Sequence, residues 1–156
     1  MSPLPSWAPN FHPLVVHFPI VLVIVAAVVD LIDVMFKRPG GLGAAASSLY
    51  VAAAVAVGAT YVTGIQAAST VFVPGMAHPV VDAHREWALV TVWYCAAVAI
   101  VRLAARRGGP PLARSLRVLL LLAGLLGVVL LQQTAERGAQ LVYQYGVGVI
   151  GAPGTR

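Results

Sequence analysis

The sequence predicts an all-α integral membrane protein, a four-helix up-and-down transmembrane bundle with both termini on the outer side of the membrane. Hydrophobic residues make up 60% of the 156 residues and charged residues only 10%, whereas soluble domains average about 25% charged residues. A small soluble protein must cover its surface with polar groups, so this composition excludes a soluble enzyme and a conventional nucleic-acid-binding protein. Cys95 is the only cysteine, which also excludes an intramolecular disulfide and a Cys-x-x-Cys metal site.

Four apolar stretches are each long enough for a spanning helix, which needs about 20 mostly apolar residues. They predict spans at about residues 13–36, 44–68, 84–105 and 113–135, within a single domain of residues 1–156. Proline and glycine at residues 39–41 and 108–111 stop the helices and predict two tight connections. Residues 136–156 are amphipathic but rich in glycine, so we expect a tail that lies over the outer end as a lid or docking surface.

The positions of lysine and arginine predict the direction of the helices, because short cytoplasmic loops are rich in these residues. The first and third connections carry seven of them, Lys37, Arg38, Arg102, Arg106, Arg107, Arg114 and Arg117. The opposite side carries three, Arg85, Arg137 and Arg156. We therefore expect both termini and the connection near residues 69–83 to face outward from a bacterial cytoplasmic membrane. The net charge of +5 then reflects topology rather than a nucleic-acid partner.

All four histidines fall at the outer end of the predicted bundle. His17 lies about one turn inside the first span and His84 opens the third, while His12 and His78 lie just outside them. The first and third spans of an up-and-down bundle run parallel, so His17 and His84 reach nearly the same depth. Each of these two spans also opens with His-Pro, two apolar residues and, after a short gap of one or two residues, a second histidine. This pattern suggests a duplicated helical hairpin, in which an axis along the membrane normal relates His17 to His84 and His12 to His78.

Two histidines from parallel helices at one depth can ligate a haem iron from both faces. The leading hypothesis is therefore a cytochrome b-like subunit in which His17 and His84 hold haem b near the outer face. Arg85 and Arg137 lie at the same end and are expected to pair with the haem propionates. His12 and His78 are a weaker candidate pair for a second haem or metal. Such a subunit would carry electrons between the quinone pool and an outer partner within a larger respiratory or redox complex.

Two other functions stay open on the same residues. In the first, the histidines are interfacial anchors and the chain is a non-redox accessory subunit that stabilises its neighbours by helix packing. In the second, the outer histidines begin a conduit for transition-metal ions or protons. The apolar stripe Val21, Ile24 and Val28 below His17 argues against a conduit, whereas Thr91 and Cys95 on the third span favour it.

The few acidic residues allow structural readings. Asp33 and Lys37 have the helical spacing of an ion pair. This spacing predicts that the inner end of the first span is solvated, with Asp30 beside the pair. The alternative role for Asp30 is proton uptake. Asp82 or Glu86 is placed to orient a ligand imidazole or to pair with arginine.

The segment HPLVVHFPI at residues 12–20 resembles the opening of a widespread family of small bacterial four-helix membrane proteins, described as a domain of unknown function or as predicted membrane proteins. His84 and the segment LVYQYGVGV at residues 141–149 are similar to the same family, so the resemblance covers nearly the whole chain. It implies a four-helix bundle whose relatives often accompany respiratory or cytochrome-like components. It implies no particular activity, and the haem hypothesis rests on the residues themselves.

Overall fold

The structure, a computed structural model, describes residues 8, 10–36, 41–107 and 112–149. This part of the chain is helical and contains no strand. The elements are α1 (His12–Val15), α2 (His17–Phe36), α3 (Gly41–Ala68), a 3-10 turn (Gly75–Ala77), α4 (His78–Arg106) and α5 (Arg114–Tyr143). Four of the helical stretches are long and apolar enough to cross a membrane: His12–Phe36, Gly41–Ala68, Gly75–Arg106 and Arg114–Tyr143. The predicted all-α four-helix membrane architecture is confirmed.

The long helices form a ring in which each packs against the next in sequence. The pairs α2 with α3, α3 with α4 and α4 with α5 are in contact, and α2 packs against α5 to close the ring. This is the arrangement of an up-and-down bundle, with α2 and α4 on one diagonal and α3 and α5 on the other. We call the end that carries the histidines the outer end, after the predicted orientation, and the opposite end the inner end.

Three helix boundaries differ from the predicted spans. Helix α3 begins at Gly41, α4 begins at His78 rather than near residue 84, and α5 continues to Tyr143 rather than ending near residue 135. Helix α4 starts early because Pro79 occupies its first turn, where a missing N–H costs nothing. Residues 136–143 are therefore the last two turns of α5, which ends before Gly146 in the left-handed conformation (φ 67°).

A break at Val16 separates α1 from α2. Pro19 has no N–H to donate to the carbonyl of Val15, so the helical ladder is interrupted at that carbonyl. The break leaves α1 as a short segment that packs against α3 as well as α2. His12 at the start of α1 is thereby directed toward α3.

The centre of the bundle is built from small side chains, while most large apolar side chains face outward. Buried residues include Ala26, Ala53, Ala99, Gly124 and Gly127. Leu, Ile, Val and Phe side chains cover the outside of all four helices, as expected where lipid rather than water is the solvent. Small interior residues allow close approach of the helices.

A buried ion pair lies in the inner third of the bundle, where Arg102 of α4 meets Asp30 of α2. Arg102 is only 2% exposed and Asp30 only 5%. The Arg102 Nη1 donates to Asp30 Oδ1 at 3.1 Å, and its Nη2 donates to the Leu120 carbonyl at 2.9 Å. The guanidinium also lies 4.0 Å from the centroid of the Tyr50 ring. One cation thus contacts the three other long helices.

This cluster corrects two expectations drawn from the sequence. Arg102 was expected in a cytoplasmic connection and Asp30 at a solvated helix end, but both charges are buried and each compensates the other. Asp33 accepts from Arg117 Nη1 at 3.2 Å. Lys37, its predicted partner, lies outside the described residues.

Candidate functional site

Two imidazoles at the outer end are partly buried, those of His12 and His84. The His12 ring lies against α3 and the His84 ring lies against α5. They come from α1 and α4, which belong to the two spans on one diagonal of the bundle. His17 and His78, in contrast, are exposed. The candidate site is therefore built around His12 and His84.

The ring of His84 is held by a main-chain carbonyl of α5. Its Nδ1 lies 2.9 Å from the carbonyl oxygen of Thr134, and a carbonyl can only accept, so Nδ1 carries the proton. The Thr134 hydroxyl is in turn 3.0 Å from the hydroxyl of Thr91 on α4. Since Nδ1 is protonated, Nε2 of the neutral ring has a free lone pair, the atom through which a histidine held in this way usually ligates a metal.

The ring of His12 is held in a similar manner by α3. Its Nδ1 lies 3.2 Å from Thr63 Oγ1, and that hydroxyl donates its own proton to the Thr60 carbonyl at 3.0 Å. Thr63 Oγ1 therefore accepts from His12, which places the proton of this ring on Nδ1 as well. The main-chain N–H of His12 donates to Asn10 Oδ1 at 3.1 Å. His12, like His84, thus has Nε2 free.

A glycine on the neighbouring helix faces each ring. A Cβ added to Gly64 would lie 3.1 Å from His12 Cε1, and one added to Gly138 would lie 3.2 Å from His84 Cε1. Both distances are shorter than ordinary van der Waals contact, so a side chain at either position would require the imidazole to shift by a few tenths of an ångström. The two glycines allow the rings to lie directly against α3 and α5.

Arg137 supplies a positive charge beside this pair. Its guanidinium lies 4.8 Å from the centroid of the Trp87 ring and donates to Gln133 Oε1 at 3.1 Å. The charge of Arg137 also acts directly on His84. Arg85, the other predicted propionate partner, is exposed. Of the two arginines, only Arg137 is shown to lie beside an imidazole of the site.

The structure leaves His17 exposed, and the partly buried imidazoles at the outer end are those of His12 and His84. His12 and His17 are five residues apart, which turns them about 140° from each other around a helix. They therefore cannot both face the interior, and the break at Val16 directs His12 inward. The predicted second site at His12 and His78 is not formed either, because His78 is exposed while His12 lies against α3. Within the described residues no three His, Cys, Asp or Glu side chains cluster to hold a metal ion.

The acidic residues suggested as partners of the imidazole do not hold it. Asp82 and Glu86 are exposed, and the Thr134 carbonyl takes the place that a carboxylate was expected to fill. Nothing in a side-chain pattern reveals such a carbonyl, since every residue has one. A spacing that would have pointed to it is the Thr-x-x-x-Gly sequence at residues 134–138, which also occurs at residues 60–64.

The two imidazoles of this site form a donor set that fits a group held by two histidines, such as haem. Two neutral rings present free Nε2 atoms, each ring is fixed through Nδ1, and each lies in a glycine cradle that a Cβ would fill. An arginine lies at the same end to neutralise a carboxylate. Haem-binding sites commonly combine these features: a histidine ligand oriented through its second nitrogen and a cation beside the propionates.

Comparison with known proteins identifies one family. The family described as "predicted membrane protein (DUF2231)" matches residues 8–151. No curated protein and no solved structure matches the chain. Because the match spans nearly the whole sequence, the chain belongs to this family of membrane proteins.

Proposed function

We propose that this DUF2231 family member is a membrane electron-transfer subunit with haem b at the outer end of its bundle, where His12 and His84 would hold the group. The observation that carries the proposal is the matched state of the two imidazoles, both fixed through Nδ1 and both with Nε2 free. Interfacial histidines that served only as anchors would have no reason to share this state. The sequence-based choice of His17 is replaced, while His84 and Arg137 are retained.

In this proposal haem supplies reversible one-electron reduction of its iron, and the protein supplies position and electrostatics. The Thr134 carbonyl and the Thr63 hydroxyl keep the protons on Nδ1, so both Nε2 atoms stay available as ligands. Arg137 neutralises a carboxylate at the outer rim. The small residues below the site let the helices close beneath it and exclude water.

The expected setting follows from topology. The basic residues Arg106, Arg107, Arg114 and Arg117 at the inner end favour a bacterial cytoplasmic membrane with the site facing the periplasm. With its site facing the periplasm, the subunit would exchange electrons with the quinone pool and with outer redox subunits. The lipid bilayer is its immediate surrounding.

Spectroscopy of the purified protein tests the proposal. Wild-type protein in detergent should contain about one haem b per chain by pyridine haemochrome assay and give a reduced-minus-oxidised α-band. His12→Ala and His84→Ala should each abolish or strongly change that band, and His17→Ala and His78→Ala are matched controls that should leave it intact. Wild-type protein that cannot be loaded with haem would refute the proposal and favour the non-redox accessory subunit. Loss of the band in His17→Ala but not in His12→Ala would refute the ligand assignment.

A second measurement tests the role of Arg137. Arg137→Gln should lower the midpoint potential of the haem, because loss of a nearby positive charge favours ferric over ferrous iron. Arg85→Gln is the control, since Arg85 is exposed at the same end, and its potential should stay close to the wild-type value. Equal shifts in both variants would exclude a specific contact of Arg137.

A further inference from the structure

The two halves of the bundle bury corresponding residues. Helix α2 buries residues 19, 23, 26, 27, 30 and 33, and α4 buries residues 91, 95, 98, 99 and 102. Each buried α4 position therefore lies 72 residues after a buried α2 position, and only residue 33 has a counterpart, residue 105, that is not buried. In the same register His12 corresponds to His84, and Asp30 corresponds to Arg102. Agreement at five of the six α2 positions indicates that α1–α2 and α4 are repeats of one element.

The second helix of each half follows the same rule. Helix α3 buries residues 46, 47, 50, 53 and 57, and α5 buries residues 120, 121, 124 and 127. Each buried α5 position lies 74 residues after a buried α3 position, and only residue 57 has a counterpart, residue 131, that is not buried. That register aligns the segment TYVTGIQ at residues 60–66 with TAERGAQ at residues 134–140. Both read Thr-x-x-x-Gly-x-Gln, and each lies against the imidazole of its own half. The repeat predicted from the sequence, in which His12 matches His78, is therefore in the wrong register.

We infer that the Thr-x-x-x-Gly-x-Gln segments at residues 60–66 and 134–140 are the two copies of one duplicated ligand-positioning motif, which holds His12 and His84 as equivalent partners of a single ligand. The inference deepens the proposed function and rests on it for the identity of the ligand as haem. An axis along the membrane normal relates the two halves, as in membrane proteins with parallel repeats. Gly64, Gly138, Thr60 and Thr134 become positioning residues of the site.

The threonine and the glycine of the motif have roles that recur in both copies. The main chain at the threonine takes part in holding the imidazole: the Thr134 carbonyl accepts from His84, and the Thr60 carbonyl accepts from the Thr63 hydroxyl that bonds His12. The glycine, one turn later, gives the ring its place on the helix surface. The copies diverge at the residue before the glycine, which is Thr63 in one and Arg137 in the other. Both rings are thus held through Nδ1 against a glycine, the first copy through an added hydroxyl and the second directly by the carbonyl, with a cation beside it.

Nitrogen NMR of the protein without haem tests the motif apart from the ligand. With ¹⁵N-labelled histidine, both His12 and His84 should be found as the Nδ1–H tautomer. Gly64→Ala should shift the ring signals of His12 alone, and Gly138→Ala those of His84 alone. Gly58→Ala is the matched control on α3, because nothing lies within 4 Å of a Cβ there, and it should shift neither ring. Different tautomers at the two rings, or equal shifts from Gly58→Ala, would overturn the inference.

Haem titration then tests the equivalence of the two halves. Gly64→Ala and Gly138→Ala should each weaken haem binding by about tenfold and change the low-spin spectrum in the same direction, while Gly58→Ala stays within about twofold of wild type. A large effect from only one of the two glycines would overturn the duplicated role. Protein that shows the two matched tautomers but takes up no haem would refute the haem proposal and still support the motif.

Discussion

At the scale of single residues, Arg102 is the side chain whose surroundings differ most from those of an ordinary surface arginine. A charge within a membrane span is costly and is kept only with a partner or a function. Arg102 has Asp30, the Leu120 carbonyl and the Tyr50 ring around it. Because the partners come from α2, α5 and α3, this one residue fixes the relative positions of all four long helices.

Removal of either partner of this pair should destabilise the protein strongly. Asp30→Asn leaves the Arg102 charge buried without its partner, and Arg102→Gln does the same to the Asp30 charge. We expect either loss to reduce the free energy of unfolding by roughly 3–5 kcal/mol. The double variant Asp30→Leu/Arg102→Met should recover most of that loss, since an apolar pair of similar size avoids the desolvation cost. Thermal unfolding in detergent measures all three variants. Additive losses in the double variant would mean that the two side chains do not interact.

Gly124 is a second residue on which the bundle depends. A Cβ at this position would lie 1.8 Å from the Tyr50 hydroxyl oxygen and 2.8 Å from Cζ, so Gly124→Ala must displace either Tyr50 or helix α5. Overpacking of this kind costs about 1–3 kcal/mol or more. Gly58→Ala, with open space around it, should leave the unfolding temperature unchanged or slightly raised. Tyr50→Phe combined with Gly124→Ala should recover part of the loss, and no recovery would place the clash elsewhere.

At the scale of the helices, the break between α1 and α2 decides which histidine enters the site. An uninterrupted helix would give His12 and His17 fixed directions about 140° apart, and the sequence alone does not say which one faces inward. Pro19 interrupts the ladder at Val15, and α1 then packs against α3. The glycine at residue 64 provides the space that receives the His12 ring.

The two ion pairs between helices should differ in strength because they differ in burial. Arg117 donates to Asp33 at 3.2 Å but is itself 21% exposed. The Asp33 carboxylate is only 6% exposed, but the arginine of this pair reaches the surface, so Arg117→Gln should cost less than Arg102→Gln. Thermal unfolding compared with Arg102→Gln gives the contrast directly. Equal losses in the two variants would show that burial is not what separates them.

At the scale of the whole molecule, the bundle has two ends of different chemistry. The outer end carries the imidazole pair and its duplicated motif, and the inner end carries most of the arginines. The interior between them is built from small apolar residues with the Asp30–Arg102 pair near the inner side. The positive-inside rule predicts a cytoplasmic arginine end, and under that prediction the two imidazoles lie close to the periplasmic surface.

Labelling of single cysteines checks this orientation. In a Cys95→Ser background, Ser69→Cys at the outer end should react with a membrane-impermeant maleimide in intact spheroplasts. Ser115→Cys at the start of α5 should react only after the membrane is opened. Both serines are exposed in the fold, so access to the reagent depends on the side of the membrane alone. The reverse pattern would invert the topology and move the imidazole pair to the cytoplasmic side.

The sequence by itself determined the class and the architecture of this protein. Long apolar stretches with so few charges can be stable only as membrane-spanning helices, since the backbone must satisfy its own hydrogen bonds in lipid. It also placed all four histidines at one end of the predicted bundle.

Only the tertiary structure decided which polar groups meet inside the bundle. Hydropathy determines that a helix spans the membrane, but contacts with neighbouring helices set its rotation about its own axis. Five residues along a helix are enough to turn a side chain from the interior to the lipid. For that reason His12 replaced His17, and Arg102 moved from an expected loop into a buried ion pair with Asp30. Only the structure shows the Thr134 carbonyl at the site, because residue identities do not tell which main-chain groups accept a hydrogen bond.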